Sequence, residues 1–177
     1  NNYTSATVDP QGRLVFAHGA VVYRIEKGQA VRLAGGGAGV AGSDTKAIAF
    51  ANPRALALDG AGGYYVADDT RVVRVDAQDQ VTVVAEGLDL PPSDLALAAD
   101  GRLLALLDGK LVALAPGAPP VALAAPVGDR FEDIAVAPDG SWLLADTRGS
   151  IEAEITLTRR VPGGTPSPRK SRLVSAR

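Results

Sequence analysis

The sequence predicts an all-β fold of four similar units, each a small sheet of four antiparallel strands. Three observations carry this expectation. Four stretches align on a turn glycine, Gly12, Gly62, Gly101 and Gly140, at spacings of 50, 39 and 39 residues, and a period near 40 belongs to stacked or radially arranged repeats. Between the turns lie short apolar runs, rich in Val and Leu and bounded by Gly, Pro and Asp, a punctuation that suits strands and not helices. The runs are apolar at nearly every position, so both faces of each sheet are buried. Small sheets buried on both faces and repeated about every 40 residues are what a β-propeller requires. The chain reads as one propeller segment over 1–177, with four blades at about 5–34, 54–87, 94–125 and 133–177.

Each unit repeats one order of elements. The first begins ATVDPQGRLVFAHGAVVYRI at Ala6, the second LALDGAGGYYVADDTRVVRV at Leu56, the third LALAADGRLLALLDGKLVAL at Leu95 and the fourth IAVAPDGSWLLADTRGSIEA at Ile134. An apolar run leads into an Asp-Gly or Gln-Gly turn, a second run ends at Ala-Asp or its equivalent, and a third follows a short polar turn. The fourth runs are Ala30 to Leu33, Val81 to Ala85, Val121 to Ala124 and Arg172 to Ala176. The long first spacing reflects one insertion, from about Gly35 to Pro53. In the last blade a basic, Pro- and Gly-bearing loop over 159–171 precedes the final strand.

Composition narrows the function classes. The 177 residues contain no cysteine, which excludes disulfides, thiolate catalysis and cysteine metal sites. No apolar run approaches the roughly 18 to 20 residues that a membrane-crossing helix needs. The absence of methionine, position 1 included, suggests a processed or truncated segment. Net charge is −2, yet residues 159 to 177 hold six of the 18 basic groups and no acid, leaving 12 basic and 20 acidic groups ahead of them. An acidic body repels phosphate backbones, so nucleic acid is not an expected partner. The basic tail fits an acidic partner or an anionic membrane surface, or, more plainly, a solvated loop before a last strand. Nucleophile elbows, phosphate loops and histidine pairs are all missing. Asn2-Tyr3-Thr4 matches a glycosylation sequon, which the Ala-rich, Lys-poor, bacterial-looking composition would leave silent.

Antiparallel order sorts the loops by face. If the first strand of each blade runs from top to bottom, the turns between second and third strands and the connections between blades lie on the upper face. His18, Asp68, Asp69, Asp108, Asp146, Thr147 and Arg148 fall there, with the segments 35–53, 86–93 and 125–132. The DxxG turns lie below and are structural. Asp94 and Asp133 occupy one register at the start of the innermost strands of consecutive blades, where they converge at the mouth of a central channel. With Glu132 they suit a hard cation such as calcium, which takes oxygen ligands. The plainer reading is that each caps a turn or a blade entrance. His18, the single histidine, is a base or ligand only if its turn brings partners to it, and Asp68 and Asp146 suit free backbone donors.

The second unit also carries a family resemblance. Asn52-Pro-Arg-Ala-Leu-Ala-Leu-Asp-Gly-Ala-Gly-Gly-Tyr-Tyr-Val-Ala-Asp68 as a stretch, followed by Arg71-Val-Val-Arg-Val75, resembles the NHL repeat, and Ala34 to Phe50 resembles the glycine-rich loop between blades of bacterial NHL proteins. The other three units match more weakly, with Ser5, Asp94 and Asp133 near the pattern's small residue and Leu107 at its aspartate. The resemblance implies a noncatalytic binding or scaffold domain, extracytoplasmic in a bacterium, presenting upper-face loops to a protein or small ligand through His18, Asp69, Asp94, Asp108, Asp133 and Arg148. The alternative is a propeller enzyme of lactonase-like or amidating-lyase-like type with a central divalent metal. Such sites need several acidic and Asn ligands or several histidines, and one His with two Asp falls short of both. NHL-like propellers commonly have six blades, so four imply open edges and membership of a larger chain or assembly.

Overall fold

The computed structural model describes residues 3–38, 45–123, 131–137, 139, 141–145, 154–160 and 167–172. These residues hold sixteen strands in four sheets and no helix. The first sheet is β1 (Tyr3–Val8), β2 (Leu14–His18), β3 (Val21–Glu26) and β4 (Gln29–Gly35). The second is β5 (Pro53–Leu58), β6 (Tyr64–Asp68), β7 (Arg71–Val75) and β8 (Val81–Ala85). The third is β9 (Asp94–Leu97), β10 (Leu103–Leu107), β11 (Lys110–Leu114) and β12 (Val121–Ala122). The fourth is β13 (Asp133–Val136), β14 (Trp142–Ala145), β15 (Glu154–Arg160) and β16 (Ser167–Arg172). Each sheet is an antiparallel meander in chain order. The first two strands pair in one register throughout, Ala6 with Phe16, Leu56 with Val66, Leu95 with Ala105 and Ile134 with Leu144.

The sheets stack face to face through apolar side chains, which explains why the runs do not alternate. Val15, Ala17 and Val22 of the first sheet meet Leu56, Tyr64, Val66, Val73 and Val75 of the second. Ala55, Ala57, Ala67 and Val72 on its other side meet Leu95, Leu103, Ala105, Val112 and Leu114 of the third. Ala96, Leu104, Leu106 and Leu111 then meet Ile134, Trp142 and Leu144 of the fourth. The first strands β1, β5, β9 and β13 pack in succession.

The insertion is part of the core. Ile48 and Phe50 are buried between the first two sheets. The chain enters the insertion through Gly35, at φ +88°, where a Cβ would stand 2.3 Å from the Ala20 carbonyl oxygen, so only glycine fits. Below the sheets, Asp59 Oδ1 accepts the amides of Ala61 and Gly63 at 2.8 and 2.7 Å, and Asp9 Oδ1 accepts those of Gln11 and Arg13 at 3.0 and 2.8 Å. The DxxG aspartates therefore fold their own turns.

In the last blade a strand at Ser167–Arg172 falls inside the span read as a basic loop over 159–171, with Arg159 paired to Ser167, whereas the run expected from Arg172 to Ala176 lies outside the described residues after Arg172. Among the described residues this strand pairs on one side only, and it has almost no apolar residues, so hydrophobic patterning misses it; Pro168 is tolerated because an edge strand needs no amide on its open side. The third strand runs Glu154–Arg160, later than the run near Ile151, and residues 173–177 lie outside the described set, as does Gly140.

The Tyr64 hydroxyl is buried without a hydrogen-bond partner, and burial, helped by the charge of Asp79, pushes its pKa up. Tyr64→Phe should therefore leave stability unchanged or raise it by up to about 1 kcal/mol. Ile48→Ala, which empties the plug between two sheets, should cost about 2–5 kcal/mol. Urea unfolding of both variants checks the pair.

Candidate functional site

The first strands of all four sheets line one cleft of about 380 Å³, into which Ser5, Thr7, Arg54, Ser93, Asp94 and Asp133 contribute. Its wall is tied together across sheets. Ser5 Oγ accepts the amide of Leu56 at 3.1 Å, and Asp94 Oδ2 accepts the amide of Ile134 at 2.8 Å. In each case the donor lies one register position past the acceptor's own position in the next sheet. Ala55 stands at that position in the second sheet and has no acceptor, and Asp94 Oδ1 takes the Leu95 amide itself at 2.9 Å. Burial holds the Asp94 carboxyl above its ordinary pKa, and the charge of Asp133 adds to this against the two amides.

Asp94 and Asp133 are thus brought to one cleft, as their shared register implies. Asp94 uses both oxygens on backbone amides, whereas Asp133 is exposed. Glu132 donates its amide to Ala145 O at 2.9 Å, and no group of three His, Cys, Asp or Glu able to hold a metal occurs among the described residues. Arg54, which sequence reasoning missed, enters the cleft because the β5–β6 register shifts between Pro53 and Ala55 and leaves it as the bulged residue. With the Asn52 side-chain oxygen turned toward it, Arg54 Nη2 donates at 3.1 Å.

The turns between second and third strands place the remaining candidates separately. His18 is exposed at the end of β2, paired in register with Val21. Asp69 and Asp108 both sit at φ +51°, a left-handed turn position that aspartate tolerates. Asp68 is not a surface group. Its carboxylate is 1% exposed, accepts the Asn52 amide at 2.7 Å and pairs with Arg71 at 2.7 Å, while Arg71 Nη2 also donates to Ala49 O at 2.6 Å. This clamp fastens the end of the insertion to the second sheet, and the Asp-x-x-Arg spacing was its signal. Arg148, with Asp146 and Thr147, lies outside the described residues.

A second, larger groove of about 880 Å³ runs along the junction of the second and third sheets. Leu88, Leu90, Val112, Pro119 and Pro120 give it apolar walls, and Glu86, Asp89, Asp108 and Lys110 also line it. Leu88 is anchored by its amide to Thr70 O at 2.9 Å, which holds the connection between sheets in place. Leu90 remains 48% exposed. The volume lies in the range of small-ligand and peptide-side-chain pockets.

No family model matches the sequence and no curated protein matches it. Solved structures do. Streptogramin B lyase superposes with a TM-score of 0.66 at 12% identity, over 94% of this chain and 54% of that one. A protein assigned as a gluconolactonase gives 0.65 at 13% identity, over 96% of this chain and 74% of that one. A catalytically inactive virginiamycin B lyase from Staphylococcus aureus, solved with quinupristin, gives 0.60 at 14% identity, over 96% and 70%. The fold is propeller-like. At such identities the likeness establishes fold and nothing of chemistry. The chain spans about half the length of the streptogramin B lyase it matches.

Two pH measurements test the electrostatics of this propeller-like arc. Burial would raise the Asp59 pKa, but hydrogen bonds from Arg74, Ala61 and Gly63 and the Arg74 charge win and hold it below the ordinary aspartate value. A depressed carboxylate contributes stability above its unfolded value and loses it as pH falls through the folded one. Thermal stability should therefore drop below about pH 4, and Asp59→Asn should flatten that drop while costing about 1.5–3 kcal/mol at neutral pH. In the cleft, Asp133→Asn should lower the Asp94 pKa by removing a repelling charge, read by carbonyl carbon NMR; an unchanged Asp94 titration would mean the two carboxylates do not share the cleft.

Proposed function

We propose that this chain is a noncatalytic binding segment of a propeller of NHL-like type, and that the groove between its second and third sheets receives an extended peptide from a protein partner. The observation that carries the reading is the groove itself: apolar walls from Leu88, Leu90, Val112 and two prolines, with three acids and one lysine along it. Apolar walls give affinity, and a net negative lining orients a peptide whose central apolar side chain is flanked by Lys or Arg. The NHL-like motif from Asn52 to Val75 supports the same reading, since it builds the first three strands of the sheet whose fourth strand, Val81–Ala85, forms one wall. An extracytoplasmic bacterial location belongs to this reading and rests on the same resemblance.

Selection of peptides from a random displayed library on the immobilised chain tests it. Recovered peptides should share an apolar centre with basic flanks. Their affinity should fall about tenfold or more on Leu90→Asp or Asp108→Lys, because each removes a wall contact or inverts a charge. Peptides indifferent to both substitutions would remove the groove from the function.

A further inference from the structure

Among the described residues the fourth strand of each sheet pairs on one side only, and three of these outer edges are protected in ways the second is not. β4 carries Arg32, whose guanidinium donates to the Lys46 carbonyl oxygen of the insertion. β12 is two residues long. β16 contains Pro168 with Arg169, Lys170 and Arg172. Charge, brevity and proline are the devices by which edge strands avoid pairing with another chain. β8, Val-Thr-Val-Val-Ala from Val81 to Ala85, has no charge and no proline. Its irregularity is a register shift opposite Val72 and Val73, which leaves Val81, Thr82 and Val83 regularly paired with Val75, Arg74 and Val73.

The register fixes which groups this edge presents. Asp76 donates its amide to Gln80 O at 3.0 Å, so these two form a hydrogen-bonded pair. Such pairs alternate along an antiparallel ladder, which makes Arg74 with Thr82 the next and turns the amides and carbonyls of Val81 and Val83 away from β7. Among the described residues no backbone group pairs with these four. The edge is independent of what lies at either end of the stack, because sheets meet through their faces and the second has a sheet against each face.

The surroundings specify what fits. Val83, Val84 and Ala85 line the groove, so every second side chain of a strand added along β8 falls on the side of Leu90, Val112 and Pro119. Exposed acids stand at both ends of β8, Asp79 before it and Glu86 after it. An added strand advances in step with β8, so cations matching this pair stand about seven residues apart on it.

We propose that an extended segment of a partner protein, uncharged at its centre and basic at both ends, adds to β8 as a fifth strand of the second sheet through the backbone groups of Val81 and Val83. This rests on the reading of the groove as a peptide site and says how the peptide is held: main-chain bonds supply affinity, and the groove sorts alternate side chains.

The probe is the acetylated, amidated octapeptide Lys-Thr-Val-Thr-Leu-Thr-Val-Lys, titrated into the isotope-labelled 177-residue chain and followed by amide NMR. In the free chain the Thr82 amide, bonded to β7, should exchange slowly with deuterium and those of Val81 and Val83 quickly. Saturating peptide should slow the latter two by at least about tenfold. Methylating one alternate set of peptide nitrogens should weaken binding at least about tenfold, whereas methylating the other set, which faces away from β8, should change it less than about twofold. Val83→Pro removes an outward amide, keeps the bonds to β7 and should weaken binding as much, with an unchanged circular dichroism spectrum. No binding by about 1 mM overturns strand addition, as do unprotected Val81 and Val83 amides or an equal response to the two methylated sets. Binding that persists in those last two cases and is lost on Leu90→Asp leaves the groove reading standing without the added strand. Protected Val81 and Val83 amides with binding indifferent to Leu90→Asp and Asp108→Lys would instead keep the strand and remove the groove.

Discussion

The structure depends on stacking one twisted sheet on the next through faces that are apolar on both sides. Such a stack leaves a problem at its inner edge, because the first strand of each sheet has ladder partners on one side only and its remaining amides need acceptors. Ser5 and Asp94 answer it across the junctions by accepting the Leu56 and Ile134 amides. Each such bond also fixes register between sheets, since a slip of one residue would aim the amide away and turn the apolar set outward. The polar lining of the inner cleft is thus first a consequence of closing backbone hydrogen bonds, and only then a candidate surface for ligands.

The outer side of the arc has a different origin. At the first junction the insertion sends Ile48 and Phe50 into the space between sheets, held by the Asp68–Arg71 clamp. At the second junction no insertion does this. The outermost strand of the third sheet is only Val121–Ala122, against five residues in β8, so among the described residues the outer margin is not filled and a groove remains. Groove and plug are two outcomes of the same geometry, decided by what the connecting segments bring. Because the walls belong to strands and to an anchored connection, the groove is preformed, which reduces the ordering cost of binding.

Neighbours that include lyases and a protein assigned as a gluconolactonase share this fold at identities of 12–14%. Conserving a stack of apolar faces needs only hydrophobic character and approximate volume at each position, which many sequences satisfy. Chemistry instead depends on individual side chains at loop and inner-strand positions, so likeness of fold carries no reaction with it. In this chain those positions are largely taken by groups with backbone duties: Asp94 on two amides, Asp68 on Asn52 and Arg71, Asp59 on its own turn and Arg74.

By itself the sequence determined the four units, their strand order, the structural DxxG turns and the convergence of Asp94 with Asp133, because period, turn chemistry and apolar runs are local and repeat in register. Patterning failed where a strand has little to bury, as in Ser167–Arg172, and at 159–171, where basic residues that suggest a solvated loop form part of a hairpin. Only the tertiary structure decided that Asp68 is interior, that Arg54 reaches the cleft through a bulge, that Asp94 bridges two sheets, and that a groove opens beside Leu90. Each of these turns on which side chain meets which between segments distant in sequence, as with Asn52 and Asp68 or Asp94 and Ile134, or on where the ladder slips by one. Such facts are set by how whole sheets dock, and no local pattern records them.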